Sequence, residues 1–296
     1  MAERSPLLPV DEAIERLLDK AVPVQETERV GLIDCVGRVL ASDVISAIDV
    51  PPADNSQMDG YALNVDDDGI ASGAALEVSD RIAAGYTGAT LKRGTLARIF
   101  TGAPIPRRAN AVVMQENTEV LANGRVVLAA VPAAGENIRP AGQDIRAGSC
   151  ILLHGRRLRP EDTALAASIG CGSIDVFRRL RIAVMSTGDE LVQPPGSLGP
   201  GQIFNSNHYA LLGLVAGLGM EPVDLGLVAD TAEATEAALA QGAATADCVV
   251  SSGGVSVGEE DHVKSALERL GHLEMWRLAI KPGKPLAFGD IGGVPF

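Results

Sequence analysis

The chain has 296 residues, of which 46% are hydrophobic and 21% are charged, so it is long enough to bury the cores of two or more domains. Its formal net charge is −13, which argues against general binding of nucleic acid, because neutralisation of phosphates dominates that affinity. Aromatic residues make up only 3%, which argues against modules that stack nucleobases on exposed rings.

The sequence has neither a signal peptide nor an apolar run of about 20 residues, so we expect a soluble, cytoplasmic protein without a membrane partner. Its cysteines are scattered and form no C-x-x-C pair, which predicts buried, reduced thiols rather than a zinc site or a disulfide framework. They are Cys35, Cys150, Cys171 and Cys248. The histidines show no catalytic or metal-binding pattern, and we expect them at the surface. They are His154, His208, His262 and His272.

The N-terminal part, residues 1–45, combines helical and extended patterns. Apolar residues at helical spacing predict a helix over residues 9–21, and a second short helix is predicted over Gly31–Val39. Residues 141–180 return to helix and short strand, with Arg159–Asp162 at the start of an Ala-rich helix. We expect these two stretches to form an N-terminal and linker region.

Residues 46–140 predict a mostly β domain. Short apolar runs such as Ala97–Phe100 and Ala111–Met114 are separated by Gly, Pro, Asn and Asp. The pair Asn123-Gly124 predicts a tight hairpin.

Residues 181–296 have a strand–turn–helix rhythm. Strands are predicted at 181–185, 223–227, 248–251 and 273–280, and helices at 206–218, 231–243 and 261–270. Such alternation predicts a doubly wound parallel sheet with helices on both faces. The predicted fold class is therefore α/β and multidomain.

Polar turns follow several predicted strands of this last domain. They are Ser186–Glu190, Val228–Asp230 and Ser251–Asp261, and the turn Lys281–Pro285 comes soon afterwards. Because the carboxyl ends of parallel strands meet at one edge of a sheet, open α/β folds bind their ligands there. The carboxylates, the Gly-Gly turn and the lysines predict a metal-assisted site for an anionic, phosphorylated substrate.

Each acidic or Gly-rich turn also has a plain structural interpretation. Asp189 and Glu190 could ligate Mg²⁺ through oxygen, or could belong to a solvated loop that caps a helix. The bare backbone of Gly253-Gly254 could approach phosphate oxygens, or the pair could be a flexible glycine linker. The segment is neither a Walker A loop nor G-x-G-x-x-G. Asp261 could bind a metal or cap the helix that follows it.

The basic residues leave similar alternatives open. Two prolines stiffen the turn that carries Lys281 and Lys284, which suits binding of anionic oxygens, and Arg277 could add a fork-shaped donor. A solvated lysine turn is the alternative. Taken alone, the turns Pro51–Ala62 and Thr101–Pro106 are typical of ordinary loops.

Seven motifs, in order along nearly the whole chain, resemble the MoeA family of molybdopterin molybdenumtransferases, which includes the C-terminal part of gephyrin. The motifs are Asn55-Ser56-x-Met58-Asp59-Gly60-Tyr61-Ala62, Thr101-Gly102-Ala103-Pro104-x-Pro106, Asn137-Ile138-Arg139-x4-Asp144, Ser186-Thr187-Gly188-Asp189-Glu190-Leu191, Asn205-Ser206-Asn207, Ser252-Gly253-Gly254-Val255-Ser256-Val257-Gly258 and Lys281-Pro282-Gly283-Lys284-Pro285. The order of the motifs makes the resemblance specific.

The resemblance implies the last step of molybdenum cofactor synthesis. Adenylylated molybdopterin and molybdate would bind as substrates, Mg²⁺ would assist cleavage of AMP, and the molybdenum would enter the dithiolene. It implies an elongated homodimer with a shared active cleft, a MogA-like last domain, and contacts with the molybdopterin adenylyltransferase and with molybdoenzyme apo-proteins.

The family's functional residues carry over position by position. The catalytic set is Asp59, Glu190, Asp230, Asp261 and Lys281, with Glu190 and Asp261 as metal ligands. The ligand-binding set is Thr101, Ser252, Gly253, Gly254, Ser256, Arg277 and Lys284. Arg139 and Asp144 match family site residues of less defined role, and Arg277 departs from a lysine that is common in the family.

The end of the chain is also a departure from the family pattern. Gly289–Phe296 predicts a hairpin that enters a strand without a closing partner, so we expect a C-terminally truncated chain. The resemblance implies a further Leu-Pro-Gly-Asn-Pro loop, the rest of the α/β domain and a small β-barrel, all absent here. Two other functions remain open: a non-catalytic molybdopterin-binding scaffold, and a pyridine-nucleotide phosphoanhydride hydrolase on the same fold.

Overall fold

The computed structural model describes residues 7–254, 262–280 and 285–296. The chain divides into two compact units. Unit 1 comprises the chain up to Glu28 together with Phe177–Phe296, and unit 2 comprises Arg29–Val176.

The regular elements of the described residues are short. The helices are α1 (Val10–Leu18), α2 (Pro160–Ser168), α3 (Ser206–Gly217), α4 (Ala232–Thr245) and α5 (His262–Leu270). The strands up to Phe177 are β1 (Thr27–Gly31), β2 (Val44–Ile45), β3 (Asn55–Ser56), β4 (Gly60–Leu63), β5 (Ala75–Leu76), β6 (Val78–Ile82), β7 (Leu96–Ile99), β8 (Ala111–Met114), β9 (Thr118–Val120), β10 (Val126–Leu128), β11 (Ile138–Arg139), β12 (Cys150–Leu152) and β13 (Ser173–Phe177). The later strands are β14 (Arg181–Thr187), β15 (Leu191–Val192), β16 (Ile203–Phe204), β17 (Glu221–Val228), β18 (Cys248–Ser252), β19 (Gly271–Arg277), β20 (Pro285–Ile291) and β21 (Val294–Pro295).

Unit 2 is mostly β, and it contains residues 46–140, for which the sequence predicts a mostly β structure. Its largest sheet has the strand order β6-β7-β4-β8, in which β4 is antiparallel to both neighbours and β6 is parallel to β7. Successive residues of β4 alternate between two cores, with Tyr61 and Leu63 in one and Ala62 in the other. This period of two is what a strand buried on both faces requires.

The predicted hairpin at Asn123-Gly124 is confirmed. It joins β9 to the antiparallel β10, and the N–H of Leu121 donates to the carbonyl oxygen of Arg125 at 2.8 Å. Gly124 has φ +79°, a left-handed conformation that glycine adopts without strain.

A third core of unit 2 surrounds α2, whose start was predicted. It contains Leu40, Leu152, Leu158, Ala166, Ile174 and Val176, among others. The predicted helix over Gly31–Val39 is wrong: β1 ends at Gly31, turns follow, and Val39 forms an isolated bridge with Arg157. Gly37 takes φ +80°, which is incompatible with a continuous right-handed helix.

Unit 1 contains the predicted parallel sheet, with the order β17-β14-β18. Ala183 and Met185 of β14 pack with residues of α4 and α5, whereas Ile182 and Val184 pack on the other face with Val215 of α3. The expected helices on both faces of the sheet are therefore confirmed.

The last strands of unit 1 pair antiparallel. β19 pairs along its whole length with β20, and β20 turns back through Gly292-Gly293 into β21. The predicted hairpin over 289–296 is therefore confirmed. The helix α1 also belongs to unit 1, and Leu8 just before it bridges to Leu278.

Candidate functional site

Parallel register brings the predicted polar turns of unit 1 to one edge of the sheet. Thr187 lies opposite Val228, and Ser186 lies opposite Ser252. The three central strands therefore end side by side, and the residues that follow them are neighbours. The strand ends gather here as predicted for an open α/β fold.

One side-chain hydrogen bond joins two of these strand ends. The hydroxyl of Thr187, which is buried, donates to Oδ1 of Asp230 at 3.2 Å. Asp230 follows β17, so the bond fixes its carboxylate against the end of β14. The sequence singled out Asp230, and Thr187 supplies the contact that holds it.

Glu190 lies against the first turn of this edge. Gly188 has φ +145°, and a Cβ added to it would lie 2.6 Å from Oε2 of Glu190. The carboxylate of Glu190 therefore folds back over Gly188, and Glu190 is exposed to solvent. Any side chain at position 188 would displace it.

The Gly253-Gly254 turn packs against the same strand end. Gly253 has φ +102°, and an added Cβ would lie 2.6 Å from the carbonyl oxygen of Thr187. Gly254 has φ +69°, and an added Cβ would lie 2.3 Å from Cγ2 of Val263 in α5. Both positions require glycine, and the turn presents bare backbone beside Thr187.

Several predicted site residues lie outside the described residues. They are Ser256, Asp261, Lys281 and Lys284. Arg277 is the last residue of β19, is half-buried, and pairs in register with Pro285. Within residues 7–254, 262–280 and 285–296, no three His, Cys, Asp or Glu side chains lie together as a metal-binding group.

The predicted residues of unit 2 form a separate polar cluster. Asp59 accepts two hydrogen bonds on Oδ1, from the backbone N–H of Thr101 at 2.8 Å and from its hydroxyl at 2.7 Å. These two bonds lower the pKa of Asp59 below its usual value, so the carboxylate stays ionised. The pairing of Asp59 with Thr101 joins two motifs that are 42 residues apart.

Two residues that the sequence interpretation did not select surround this pair. The N–H of Gln115 donates to the carbonyl oxygen of Asp59 at 3.0 Å. Arg98 donates to the carbonyl oxygen of Gly60 at 3.1 Å and to Oε1 of Gln115 at 2.6 Å. The available signal was a charged residue inside the apolar run of β7, where the neighbours of Arg98 are buried.

The third motif of unit 2 lies beside the first. β11 pairs antiparallel with β3, which places Arg139 opposite Asn55. Arg139 forms an ion pair with Asp144, and the N–H of Gln57 donates to the carbonyl oxygen of Asn137 at 3.0 Å. Both motifs therefore belong to one part of unit 2.

The expectation that all histidines lie at the surface is wrong for His208. Its side chain is 2% exposed, in the first turn of α3. Its Nε2 lies 2.9 Å from Oδ1 of Asp224, and its Nδ1 lies 3.4 Å from the hydroxyl of buried Ser186. The ring ties α3 to β14 and β17 through Ser186, the residue before Thr187.

A cavity of about 640 Å³ in unit 1 lies away from these residues. It is lined by Arg178 and Asp247, among others, near the amino-terminal ends of β14 and β18. The guanidinium of Arg178 donates to both carboxylate oxygens of Asp247, at 2.6 and 2.7 Å. The main charged groups of this cavity are therefore already paired with each other, and we do not assign the function to the cavity.

The cysteines are all free, as expected, but they are not all buried. Cys35 is buried, Cys150 is exposed, and Cys171 and Cys248 are half-buried. Burial raises the pKa values of the Cys35 and Cys248 thiols. In the described part of the chain, no helix is both long and apolar enough to cross a membrane.

Comparison with protein families matches both parts of the chain. Residues 8–170 match the family described as MoeA N-terminal region (domain I and II). Residues 183–294 match the family described as probable molybdopterin binding domain.

Individual relatives match across almost all of the chain. A molybdopterin molybdenumtransferase of Haemophilus influenzae is 38% identical over 286 residues, which cover 96% of this chain and 70% of that protein. A molybdopterin molybdenumtransferase of Nostoc sp. is 42% identical, covering 95% of this chain and 66% of that protein. A crystal structure of a molybdopterin biosynthesis MoeA protein from Pyrococcus horikoshii superposes with a TM-score of 0.84 at 34% identity, covering 98% of this chain and 73% of that chain.

Proposed function

The chain belongs to the MoeA family, and on that premise we propose that it is the transferase that inserts molybdate into adenylylated molybdopterin with release of AMP. Its relatives from Haemophilus influenzae and Nostoc sp. carry the name molybdopterin molybdenumtransferase. The chain spans about two thirds of the length of such relatives, so the complete reaction is a proposal for this chain.

The observation that carries the proposal is the convergence at the carboxyl edge of unit 1. Thr187 donates to Asp230, its carbonyl oxygen lies where a Cβ of residue 253 would stand, and Glu190 folds over Gly188. Carboxylates therefore stand beside bare backbone at the strand ends. Such an edge suits a substrate whose phosphate groups need both backbone donors and charge compensation.

We assign binding of the anionic substrate to the basic and glycine-rich residues of unit 1. Molybdate and the pterin phosphates are anions, which ammonium, guanidinium and backbone N–H groups all favour. The residues are Ser252, Gly253, Gly254, Ser256, Arg277, Lys281 and Lys284. Lys281 is also assigned to the catalytic set with Glu190, Asp230 and Asp261.

We assign Asp59 to the conversion and Thr101 to ligand binding beside it. Both hydrogen bonds from Thr101 go to Oδ1 of Asp59, and the described residues place no donor on Oδ2. The carboxylate is thus held ionised, with one oxygen directed by Thr101 and the other available to the substrate. Arg139 and Asp144 are proposed to belong to the same region.

The proposed cation is Mg²⁺, and the donor set has the right chemistry for it. Glu190 and Asp261 would hold it, because a hard divalent cation prefers carboxylate oxygens. When bound, Mg²⁺ supplies charge compensation to the phosphate oxygens of the cleaved phosphoanhydride. Glu190 contributes an exposed carboxylate whose position is limited by Gly188.

We further propose a homodimer with a shared active cleft. Support comes from exposed apolar side chains on α3 of unit 1 and on the residues before and after it, a pattern typical of protein contacts. They are Leu198, Ile203, Phe204, Tyr209, Leu214 and Leu218.

The adenylyltransferase that makes the substrate and the apo-proteins that receive the cofactor are proposed partners. The cytoplasm is the proposed location, which the free thiols favour.

The test measures AMP release from adenylylated molybdopterin with Mg²⁺, with and without molybdate. We expect release that molybdate stimulates, and a loss of about 100-fold in Glu190→Gln with the fold retained, because a lost metal ligand or charge costs this much. Glu221→Gln is the matched control, since this exposed glutamate is the first residue of β17 and lies at the opposite edge of the sheet from the strand ends.

Two results would contradict the proposal. Wild-type release by Glu190→Gln would remove Glu190 from the metal site. Tight pterin binding without any AMP release by the unmodified chain would favour the scaffold function instead.

A further inference from the structure

Arg98 connects the two residues that flank the Asp59–Thr101 pair. Its Nη1 donates to the carbonyl oxygen of Gly60, at 3.1 Å. Its guanidinium carbon also lies 4.7 Å from the centroid of the Phe100 ring. Gly60 directly follows Asp59, and Phe100 directly precedes Thr101, so one side chain bridges both loop entrances.

The same guanidinium reaches a third segment that contacts Asp59. Its Nη2 donates to Oε1 of Gln115 at 2.6 Å, and the N–H of Gln115 donates to the carbonyl oxygen of Asp59 at 3.0 Å. The ring of Tyr61 covers another part of the cation, at 5.1 Å from centroid to guanidinium carbon. The planar, forked guanidinium can make these contacts together, whereas an ammonium group cannot.

The fold of unit 2 has other sources of stability at this place. The backbone ladder between β4 and β7 pairs Gly60 with Ile99 and Tyr61 with Arg98. Apolar cores cover both faces of the sheet. Loss of the Arg98 side chain therefore affects the orientation of the loops more than the existence of the sheet.

Arg81 provides a comparison within the same sheet. It lies beside Arg98 in the parallel register of β6 and β7, and its guanidinium carbon is also 4.7 Å from the Phe100 centroid. Within the described residues, the Arg81 side chain makes no hydrogen bond to Gly60, Gln115 or Asp59. The two arginines thus share the aromatic contact but differ in the hydrogen bonds.

We propose that Arg98 is a positioning residue that orients the Asp59 carboxylate and the Thr101 donors for the reaction through Gly60, Phe100 and Gln115. This inference rests on the proposed function, because it assigns Arg98 a role in the same conversion. Arg98 acts through Asp59 and does not itself contact the reacting atoms.

The positive charge of Arg98 has a measurable consequence at Asp59. The hydrogen bonds of Thr101 are the main cause of the lowered pKa of Asp59, and the attraction of Arg98 adds to it. Removing the charge and loosening Thr101 both raise the pKa of Asp59. A residue that only stabilised the sheet would leave this pKa unchanged in the folded protein.

The test compares Arg98→Gln, Arg98→Lys and Arg81→Gln in the full chain. Steady-state AMP release over a range of pH gives kcat and KM, and thermal unfolding checks the fold. For Arg98→Gln we expect kcat to fall by about 10- to 100-fold with KM nearly unchanged. The acidic limb of the pH–rate profile should move to higher pH, because the pKa of Asp59 rises. Arg98→Lys is expected to restore the acidic limb but only part of kcat, and Arg81→Gln to stay within about twofold of the unmodified chain.

A second readout separates this inference from the proposed function. The Asp59 carboxyl and the Thr101 amide are followed by NMR titration in the same variants, which requires no turnover. We expect a higher Asp59 pKa in Arg98→Gln, a weakened Thr101 amide hydrogen bond in Arg98→Gln and to a smaller extent in Arg98→Lys, and neither change in Arg81→Gln.

If the unmodified chain released no AMP, the proposed function would fail while the NMR titration still tested Arg98. Equal kcat, pH profile and Asp59 pKa in Arg98→Gln and Arg81→Gln would overturn the positioning role. A lowered melting temperature with unchanged kinetics would overturn it as well.

Discussion

The carboxyl edge of unit 1 and the Asp59 region of unit 2 are ordered by different parts of the chain. In unit 1, Gly188, Gly253 and Gly254 set the edge through backbone conformations that other residues resist. In unit 2, Asp59 is fixed by side-chain and backbone hydrogen bonds from Thr101. The first arrangement leaves bare backbone for a ligand, and the second leaves a directed carboxylate.

The difference predicts how each region responds to substitution. A side chain added to the glycine edge disturbs the fold and the site together, because the new atoms meet the strand end or α5. A conservative side-chain change near Asp59 is expected to slow the proposed release of AMP and to leave the sheet intact. The following variants test this difference.

The largest effect is expected from Gly60→Ala, which tests a glycine of unit 2 that also has no room for a side chain. An added Cβ would lie 1.9 Å from the carbonyl oxygen of Val113, so β4 would have to separate from β8. We expect a loss of about 3 kcal/mol or more in the free energy of unfolding, measured by chemical denaturation.

Gly172→Ala is the control for that substitution. No heavy atom lies within 4 Å of an added Cβ at this position. We expect a change within about 0.5 kcal/mol. Equal stability of the two variants would show that β4 tolerates a side chain beside Asp59.

An intermediate effect is expected from His208→Ala, which tests whether unit 1 also depends on side chains. The substitution removes a buried ring and its contacts with Ser186 and Asp224. We expect unit 1 to lose about 2–3 kcal/mol, measured by denaturant unfolding. Exposed His272→Ala is the control and should change stability by less than about 0.5 kcal/mol. Equal unfolding free energies for His208→Ala and His272→Ala would mean that the backbone alone orders the carboxyl edge of unit 1.

The smallest effect is expected from Asp162→Asn, which lies away from both regions. The Asp162 carboxylate is 4% exposed and accepts bonds from Arg156 at 3.0 Å and from the N–H of Arg159 at 2.9 Å. These bonds lower the pKa of Asp162, with Arg156 as the largest cause. Because both arginines are about half exposed, we expect a loss of about 1–2 kcal/mol at pH 7.

The pH dependence of that variant has a defined sign. A carboxyl group whose pKa is lower in the folded state stabilises the fold at a pH above its unfolded pKa, near 4. The stabilisation disappears as the pH falls through the lower folded pKa. Unfolding free energies of both proteins should therefore converge below about pH 4. If the unfolding free energies of the unmodified chain and Asp162→Asn differed by the same amount down to pH 2, the ion pair would not be the source of the difference.

The elements with strong local patterns were predictable from the sequence. The turn Asn123-Gly124 and the parallel strands of unit 1 carry unambiguous signals in residue type and period. The turns at Gly31–Val39 were misinterpreted as a helix, because apolar spacing outweighed the breaking effect of Gly37. β19 pairs antiparallel with β20, which follows it in the chain. The pattern of apolar residues within β19 does not report the direction of its partner strand.

The candidate site was predictable as a set of motifs but not as a set of contacts. Asp59, Glu190 and Asp230 were selected from the sequence. The contact of Arg98 with Gln115 joins residues 17 positions apart, and that of His208 with Asp224 joins residues 16 positions apart. No local pattern reports which distant groups a half-buried arginine or a buried histidine will meet.

The most direct test of the division between binding and conversion uses Asp59→Asn, with Asp68→Asn, another aspartate of unit 2, as the matched control. The dissociation constant of adenylylated molybdopterin and the single-turnover rate of AMP release are measured on the same samples. We expect Asp59→Asn to bind within about threefold of the unmodified chain and to release AMP about 100-fold more slowly, as for loss of a charge that acts in the conversion. Release at the unmodified rate would contradict the role of Asp59, and loss of binding with an intact fold would contradict its assignment to the release of AMP rather than to binding.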